Sequence, residues 1–245
     1  ISTESALGGA SGPHRRWGWV EADLETLKAA KNAFGGTVND VILTAVSGGF
    51  RALMASRGID TRPLQIQSMI PVSMRAPGAA SGGNEVSAMF AQLPVGIDDP
   101  VERLHAMTRQ MDRLKKSGTP LTVDSIIGLA DFVPPALFAA AGRVAGQINQ
   151  RAFDTVTTNV PGPQAPLYLL GRQLQLLIPF VPLAPGVRLS TAIASYNGRI
   201  NFGVSADYDT VRDLPEFLAG IEQTLDGLTK AVLASVKRGA DDPAD

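Results

Sequence analysis

Asn39 and Asp40 are the polar pair best suited to a reaction site, because they begin an otherwise apolar run, GGTVNDVILTAV at residues 35–46. If Thr37 is the N-cap, Asp40 is the third helical residue, and its carboxylate can accept from the backbone N–H of Thr37. A helix cap is therefore enough to explain Asp40. Asn39 needs another explanation, since asparagine is a poor helix former. Its amide offers a donor and an acceptor that suit orienting a histidine or binding an acyl or alcohol oxygen.

The rest of the chain offers few catalytic groups. It has no cysteine and two histidines, His14 within HRRWGW and His105 in a predicted helix. It contains no P-loop, GxGxxG, HExxH or GxSxG motif, and the histidines lack metal-ligand spacing, so no metal site is predicted. Arg15 and Arg16 could bind a phosphate-bearing ligand, although a solvated basic loop is the simpler interpretation. Taken alone, the chain looks chemically incomplete.

Composition limits the possible partners. With a formal net charge of -1 and 18% charged residues, the chain lacks the excess of Lys and Arg that nucleic-acid binding requires. The absence of cysteine fits a reducing cytoplasm. Prolines interrupt the most apolar stretch, residues 174–187, which therefore lacks the roughly 20 continuous apolar residues of a spanning helix. Peripheral contact with a membrane or a lipid droplet stays open.

Hydrophobic periodicity predicts helices and strands in alternation. Asn197 and Gly198 supply the residues of a type I′ turn, so residues 188–209 are predicted to form a β-hairpin. Other predicted strands are a short one around Trp17–Val20 and residues 64–75, 85–95 and 153–163. Predicted helices are residues 23–36, 37–58, 98–117, 120–150 and 213–237. The fold class is therefore α/β, a mixed β-sheet covered by helices.

Residues 1–13 are rich in glycine and serine and are predicted to be a linker or a mobile segment. Residues 14–238 form the predicted domain, and residues 239–245 a disordered tail. The first residue is Ile1 rather than methionine. This start predicts that the chain is a piece of something longer.

Several motifs occur here in the order in which they occur in the bacterial wax ester synthase/diacylglycerol acyltransferase family, whose actinobacterial triacylglycerol synthases are the most similar subset. They are TVNDVILTAVSGGFRALMASRG, IPVSMR, GNEVSAMFAQLPV, TTNVPGP, PLYLLG, IPFVPL and SYNGRINFGVSADYD. Each string is weak alone, but the ordered set is specific. The resemblance covers residues 14 to 233.

The resemblance implies a chloramphenicol acetyltransferase-like fold of two similar halves, with the active site in a tunnel between them. The family's catalytic motif, HHxxxDG, lies in the N-terminal half, and its second histidine is the general base. This chain has no His-His pair, so it resembles the C-terminal half alone. The expected partner is an N-terminal half that carries HHxxxDG, supplied as a separate chain or by a precursor that has been cleaved.

The resemblance also assigns expectations to single residues, none of them catalytic. Asn39 and Asp40 match the family's ND motif and are expected to support the site. Ser73 and Arg75, at a strand end, are candidate substrate contacts, with Arg75 facing a CoA phosphate or forming a structural salt bridge. Asn159, beside a rigid Pro-Gly-Pro turn, is a turn residue or a tunnel-wall residue. The remaining candidates are Ser195 and Tyr196, which precede the hairpin turn.

The expected reaction moves a long-chain acyl group from acyl-CoA, as substrate, to diacylglycerol or a fatty alcohol, with no cofactor. Two other hypotheses stay open. One is a half-domain that binds lipid or a partner protein without catalysis, and the other is a condensation-type acyltransferase that takes its acyl group from a carrier protein. The expected location is the cytoplasm.

Overall fold

A computed structural model describes Leu7 and residues 12–73, 86–116, 121–122 and 153–241 of the chain. These residues form four helices and nine strands. In chain order the elements are β1 (Arg15–Asp23), α1 (Leu24–Phe34), α2 (Val38–Ser56), β2 (Ile66–Ser73), β3 (Val86–Leu93), α3 (Pro100–Lys116), β4 (Leu121–Thr122), β5 (Thr155–Val160), β6 (Tyr168–Leu169), β7 (Arg172–Gln173), β8 (Leu189–Tyr196), β9 (Arg199–Asp207) and α4 (Leu214–Asp241).

Seven strands make one mixed sheet, in the order β1-β9-β8-β5-β2-β3-β4. The three central strands, β8, β5 and β2, run parallel to one another, and every other neighbouring pair is antiparallel. The last residues of the three parallel strands, Ser73, Val160 and Tyr196, therefore lie at the same edge of the sheet. We call this the carboxyl edge. In open α/β sheets, ligands bind outside the carboxyl ends of parallel strands.

The helices cover one face of the sheet. Strand residues that point to this face join the helices in a single apolar core; they include Val20, Ile66, Ile193, Phe202 and Val204. Helix α2 lies at the centre of the core and is buried continuously from Asp40 to Phe50. A helix that is apolar on all sides must be covered on all sides. No helix among the described residues combines the length and apolarity needed to cross a bilayer.

Helices α2 and α4 cross at glycines, which allow their backbones to approach closely. A Cβ atom on Gly220 would lie 2.6 Å from the carbonyl oxygen of Gly48, and one on Gly49 would lie 2.8 Å from that of Phe217. Beside this crossing the rings of Phe50 and Phe217 pack edge to face, with centroids 4.9 Å apart. The crossing holds the central helix, and with it the residues at its N-terminus, in one position.

On the opposite face of the sheet, chain without regular secondary structure covers part of β9. We call residues 175–187 the strap. Its Leu177 carbonyl accepts from Asn201 Nδ2 at 2.8 Å. A Cβ atom on Gly203 would lie only 1.8 Å from the Pro179 carbonyl oxygen, so the strap contacts β9 where the strand has no side chain.

Residues 167–174 form a separate two-stranded hairpin, which we call the arm. Strands β6 and β7 pair antiparallel, and the turn residues Leu170 and Gly171 have φ angles of 50° and 75°. Every residue of the arm is exposed. The arm belongs to a sheet of its own and is not part of the seven-stranded sheet.

The predicted fold class, a mixed sheet covered by helices, is confirmed. The predicted hairpin is present as β8 and β9, and both turn residues have the positive φ of a type I′ turn, 47° at Asn197 and 80° at Gly198. The predicted helix boundaries agree to within a few residues, since side-chain caps mark them in the sequence. Asp23 caps α1, and Gly35 ends that helix with a φ of 85°.

Three predictions need correction. The helix predicted over 120–150 is wrong at Leu121 and Thr122, which pair with β3 as a strand; the remainder of that segment lies outside the described residues. The strand predicted near Trp17 is longer, because its nine residues pair along all of β9. Helix α4 continues to Asp241, so the tail predicted to begin at residue 239 starts too early.

Within the segment predicted as a linker, the structure describes Leu7, Gly12 and Pro13. Leu7 joins the apolar core, and the Gly12 N–H donates to Asp207 Oδ2 at 2.9 Å. These two residues are therefore packed rather than free. The proposed domain boundaries otherwise stay predictions.

Candidate functional site

The N-terminus of α2 has the cap that the sequence predicts. Thr37 Oγ1 accepts from the Asp40 N–H at 3.2 Å, and Asp40 Oδ2 accepts from the Thr37 N–H at 2.8 Å. Asp40 is buried, with 1% of its surface exposed. The reciprocal bonds satisfy two backbone donors that the helix itself cannot pair. Asp40 therefore holds the helix start in place.

Asn39 faces Asn159, a residue 120 positions away in the sequence. The Asn159 Nδ2 donates to Asn39 Oδ1 at 3.5 Å. Asn39 stands in the first turn of α2, and Asn159 is the penultimate residue of β5, at the carboxyl edge. Both side chains are partly exposed. The structure thus brings together two residues that the sequence selected separately.

The pair keeps hydrogen-bonding groups free for a ligand. Within the part of the chain that the structure describes, Asn39 Nδ2 and Asn159 Oδ1 have no hydrogen-bond partner. An asparagine amide has two N–H donors and one acceptor oxygen, so the pair offers donors from one side chain and an acceptor from the other. The first turn of a helix also adds a positive partial charge. Such a site can bind a carbonyl or hydroxyl oxygen, or orient an imidazole.

Gly36 and Thr108 are parts of this region that the sequence did not identify. Gly36 has a φ of 85°, and a Cβ atom there would lie 2.5 Å from Thr108 Oγ1 and 3.0 Å from Asp40 Oδ2. Both Thr108 Oγ1 and Asp40 Oδ1 are buried, and neither has a partner among the described residues. The doubled glycine before Thr37 was a usable signal, but it is equally typical of the end of α1.

Ser195 and Tyr196, two predicted substrate contacts, hold loops at the carboxyl edge. Ser195 Oγ accepts from the Gly162 N–H at 3.1 Å and from Gln164 Nε2 at 3.0 Å. Tyr196, which is buried, accepts from the Leu167 N–H at 2.8 Å through its hydroxyl. These contacts are structural, and a role for either hydroxyl in binding substrate stays a prediction. Gln164, which the sequence did not select, also accepts from the Gly198 N–H at 3.0 Å.

The two other candidates near this edge are only partly described. Ser73 is the last residue of β2, so its backbone lies at the carboxyl edge, while its side chain is outside the described residues. Arg75 lies outside the described residues altogether. Their expected contacts with substrate therefore stay predictions.

Arg15 and Arg16 lie at the opposite ends of the strands. Arg15 pairs with Asp207, the last residue of β9, and β9 runs antiparallel to β8. The Arg15 Nη1 lies 3.6 Å from Asp207 Oδ2, and Arg16 Nε donates to the Tyr208 carbonyl at 2.8 Å. The Arg16 guanidinium also lies 4.0 Å from the centroid of the Tyr208 ring. The structure does not bring these arginines to the Asn39–Asn159 pair.

The carboxyl group of Asp207 is fully buried beside these arginines. Burial raises its pKa, but the hydrogen bonds from Thr210 and from the N–H groups of Gly12 and Asp209 have the larger combined effect. The pKa of Asp207 is therefore lower than its ordinary value. Asp207 is explained as an anchor for the chain before β1 and after β9.

A cavity of about 280 Å³ lies away from the candidate site, between α2, α4 and the start of α3. Arg103 lines it and donates to the carbonyls of Ile97 and Asp98 and to Thr224 Oγ1. Burial, with the nearby charge of Arg51, lowers the pKa of Arg103 to about 10, so the guanidinium stays charged at neutral pH. Its three acceptors identify Arg103 as a support for the loop before α3.

Neither histidine lies at the Asn39–Asn159 pair. His14 precedes β1 beside Tyr208, and His105 is an exposed residue of α3 whose ring lies 6.4 Å from that of Phe34. Within the described ranges there is no group of three or more His, Cys, Asp or Glu residues that could hold a metal ion. The described site thus contains oriented amides and lacks a general base.

Comparison with known proteins agrees with this architecture. Residues 82–229 match the WS/DGAT C-terminal domain family. The chain is 33% identical over 235 residues to a protein of Mycobacterium tuberculosis named as a probable diacylglycerol O-acyltransferase, tgs1, covering 96% of this chain and 50% of that protein. A protein of Mycobacterium bovis named as a putative diacylglycerol O-acyltransferase shows the same identity and coverage.

Solved structures show the same fold. The wax ester synthase/diacylglycerol acyltransferase from Marinobacter aquaeolei superposes with a TM-score of 0.71 at 21% identity, over 93% of this chain and 51% of that one. The EpoB cyclization-docking bidomain from Sorangium cellulosum superposes with a TM-score of 0.55 at 14% identity, over 88% of this chain and 42% of that one. This chain thus spans about half the length of the relatives it matches.

Proposed function

The chain belongs to the wax ester synthase/diacylglycerol acyltransferase family, and from this membership we propose that it is the C-terminal half of a long-chain O-acyltransferase. The proposed donor is a long-chain acyl-CoA, and the proposed acceptor is the free hydroxyl of diacylglycerol or of a fatty alcohol. The products are triacylglycerol or a wax ester, and free CoA. The proposed partner is an N-terminal half that carries HHxxxDG.

The observation that carries this proposal is the Asn39–Asn159 pair. Two amides from distant parts of the chain meet at the carboxyl edge, and one donor group and one acceptor have no partner among the described residues. Acyl transfer to a hydroxyl needs both functions, because the carbonyl oxygen gains negative charge while the hydroxyl loses a proton. A general base is the missing element, and the proposal assigns it to the other half.

In the proposed reaction, a histidine of the HHxxxDG motif removes the proton from the acceptor hydroxyl. The alcohol oxygen attacks the thioester carbon, and the resulting tetrahedral intermediate carries a negative charge on the former carbonyl oxygen. The intermediate collapses by breaking the C–S bond, and the thiolate of CoA takes the proton from the histidine. Asn39 Nδ2 either donates to the oxyanion or orients the histidine. No covalent intermediate with the enzyme is required.

The rest of the chain contributes binding surface. Burial of an acyl chain stabilises the complex by about 0.8 kcal/mol per methylene, so apolar lining can hold this substrate without many polar groups. The apolar residues of segments 120–150 and 174–187 are the proposed lining. Ser73, the last residue of β2, and Arg75 are the proposed contacts for the CoA portion.

The test uses the full-length protein that contains this chain. Purified protein is incubated with a long-chain acyl-CoA and either diacylglycerol, a fatty alcohol or no acceptor, and the ester is identified by mass spectrometry. Release of CoA is followed with a thiol reagent, to which this half contributes no background because it has no cysteine. We expect ester and free CoA in equal amounts, and both to form roughly a hundredfold more slowly in an Asn39→Ala variant.

Two results would contradict the proposal. Acyl transfer only from a carrier protein would favour the condensation-type reaction. Lipid binding without any ester product would favour a half-domain that binds without catalysis.

A further inference from the structure

The arm, residues 167–174, exposes apolar side chains on a hairpin that is unfavourable in water. Its tip residue Leu170 is 96% exposed, and its neighbours Leu169 and Tyr168 are 77% and 64% exposed. A two-stranded hairpin without further packing is at best marginally stable in water. Three consecutive large apolar side chains on such a hairpin indicate a contact surface that no described residue covers.

The turn of the arm adds a second unfavourable feature. Leu170 has a φ of 50°, in the left-handed region that residues other than glycine, asparagine and aspartate rarely adopt. Glycine would suit this position better in an isolated hairpin. The next residue, Gly171, also has a positive φ, and there the sequence does have glycine. A leucine in this conformation is explained if its side chain, at the tip of the arm, makes contacts that offset the unfavourable backbone conformation.

The base of the arm is held firmly. The Leu174 N–H donates to the Leu167 carbonyl, which is one of two bonds expected between facing residues of a hairpin. The Tyr196 hydroxyl takes the place of the second bond, accepting from the Leu167 N–H and donating to the Leu174 carbonyl at 2.9 Å. Because Tyr196 is buried in β8, the arm projects from the sheet in a defined direction.

The arm projects from the carboxyl edge, because Tyr196, which holds its base, is the last residue of β8. The Asn39–Asn159 pair lies at the same edge and lacks a base. A partner that supplies the base must therefore approach this edge and meet the arm. The relatives are about twice as long as this chain, so they contain a second portion large enough to be that partner.

We propose that the arm docks into an apolar groove on the N-terminal half of the protein, with Leu169 and Leu170 as its anchoring side chains. This inference rests on the proposed function, because the need for a base places the other half at this edge. The groove is expected to be lined by aliphatic or aromatic side chains, with an acceptor near Arg172, the only charged residue of the arm.

The test compares variants of the full-length protein by thermal unfolding and by hydrogen exchange. In the double variant Leu169→Asp, Leu170→Asp, we expect the melting temperature to fall by roughly 2 to 4 °C or more. Amide exchange should accelerate roughly tenfold in the arm and in one region of the N-terminal half. The matched control is Leu233→Asp, Val236→Asp, because these α4 residues are 58% and 64% exposed on the helical side of the molecule. The control should leave both readouts unchanged.

Leu170→Gly gives a result whose sign depends on docking. In a free arm, glycine relieves the left-handed conformation and leaves the melting temperature unchanged or higher. In a docked arm, loss of the leucine side chain lowers it. An arm that exchanges at the rate of an open peptide, with a neutral or stabilising Leu170→Gly, would overturn the proposal.

Two further outcomes test whether the arm docks on the N-terminal half. If the double variant keeps the wild-type melting temperature but loses binding to phosphatidylcholine vesicles, a lipid surface covers the arm and the proposal is wrong. If the arm is protected in a full-length protein that makes no ester, the docking inference holds while the proposed acyl transfer fails.

Discussion

The side-chain amide of Asn159 donates to that of Asn39 across 120 residues of sequence and joins the end of β5 to the start of α2. Ligands commonly bind outside the carboxyl ends of parallel strands and at the N-termini of helices. The two asparagines extend that polar surface into side chains that can bind an oxygen atom. The pair is therefore the point at which the sheet and the helical layer contribute to one site.

Replacing Asn39 with alanine should lower turnover by roughly a hundredfold if its amide stabilises the oxyanion. Asn159→Ala should lower turnover less, and the double variant should fall short of the product of the two effects, because one side chain orients the other. Steady-state kinetics and thermal unfolding of the full-length protein measure both. Asn32→Ala, an exposed position on α1, is the control. Additive effects would show that the two amides act separately.

Asp40→Ala should reduce the free energy of unfolding by about 1 to 2 kcal/mol, because the reciprocal cap at Thr37 is lost. Any loss of activity should follow from that destabilisation. Asp23→Ala removes the cap of α1, where Asp23 accepts from the Glu25 N–H, and is the matched control. Chemical denaturation gives both values. A collapse of activity in Asp40→Ala at full stability would mean that Asp40, rather than Asn39, acts in the reaction.

Gly203→Ala should destabilise the protein by about 1 to 3 kcal/mol, because its new Cβ would lie 1.8 Å from the Pro179 carbonyl oxygen and force the strap away from β9. Ser205→Ala, two residues along the same strand, should leave the free energy of unfolding unchanged or raise it. The Ser205 hydroxyl is buried and has no partner among the described residues, so its removal costs no hydrogen bond there. Urea unfolding of both variants tests this difference in sign.

Tyr196→Phe should cost about 1 kcal/mol and accelerate exchange of the Leu167 amide, because the hydroxyl that closes the base of the arm is removed. The substitution keeps the buried ring and hence the packing of β8. Tyr208→Phe, at a residue that is 45% exposed, is the control and should change neither quantity. Unchanged exchange of the arm in Tyr196→Phe would show that the arm is held by other contacts.

The pair Arg57–Asp213 should make stability depend on pH in acid. The hydrogen bonds from Arg57 lower the pKa of Asp213 from 3.8, against the opposing effect of burial. A lowered folded-state pKa stabilises the native state above the unfolded value and loses that contribution as pH falls through the folded value. Asp213→Asn should therefore cost about 1 to 2 kcal/mol at neutral pH. The difference from wild type should shrink below pH 3.8. A difference that is independent of pH would contradict this assignment.

Local features of the fold were predictable from the sequence because short-range chemistry determines them. The Asn197-Gly198 turn specified a hairpin, and the spacing of Thr37 and Asp40 specified a capping box. The alternation of predicted strands and helices, with one hairpin, specified the mixed sheet, and the ordered motifs specified the family.

Long-range relationships were not predictable in this way. Nothing local to Asn39 or Asn159 indicates that they meet, because their contact depends on the order of strands in the sheet. Arg15 and Arg16 looked available for a phosphate, but the pairing of β1 with β9 places them at the other end of the strands. Tyr196 carried no sequence signal of its role, since its hydroxyl acts on residues in a hairpin that is too short to predict.

The position of α2 has a consequence for synthesis of the chain. Helix α2 precedes α4 in the chain, yet its apolar surface is covered by α4, whose Phe217 packs on Phe50 and which emerges from the ribosome only after the described strands. Strand β1 likewise waits for β9, its partner in the sheet. A nascent chain therefore exposes the most apolar of the described helices until the first half of α4 is available, and chaperones that bind apolar segments have that interval in which to act.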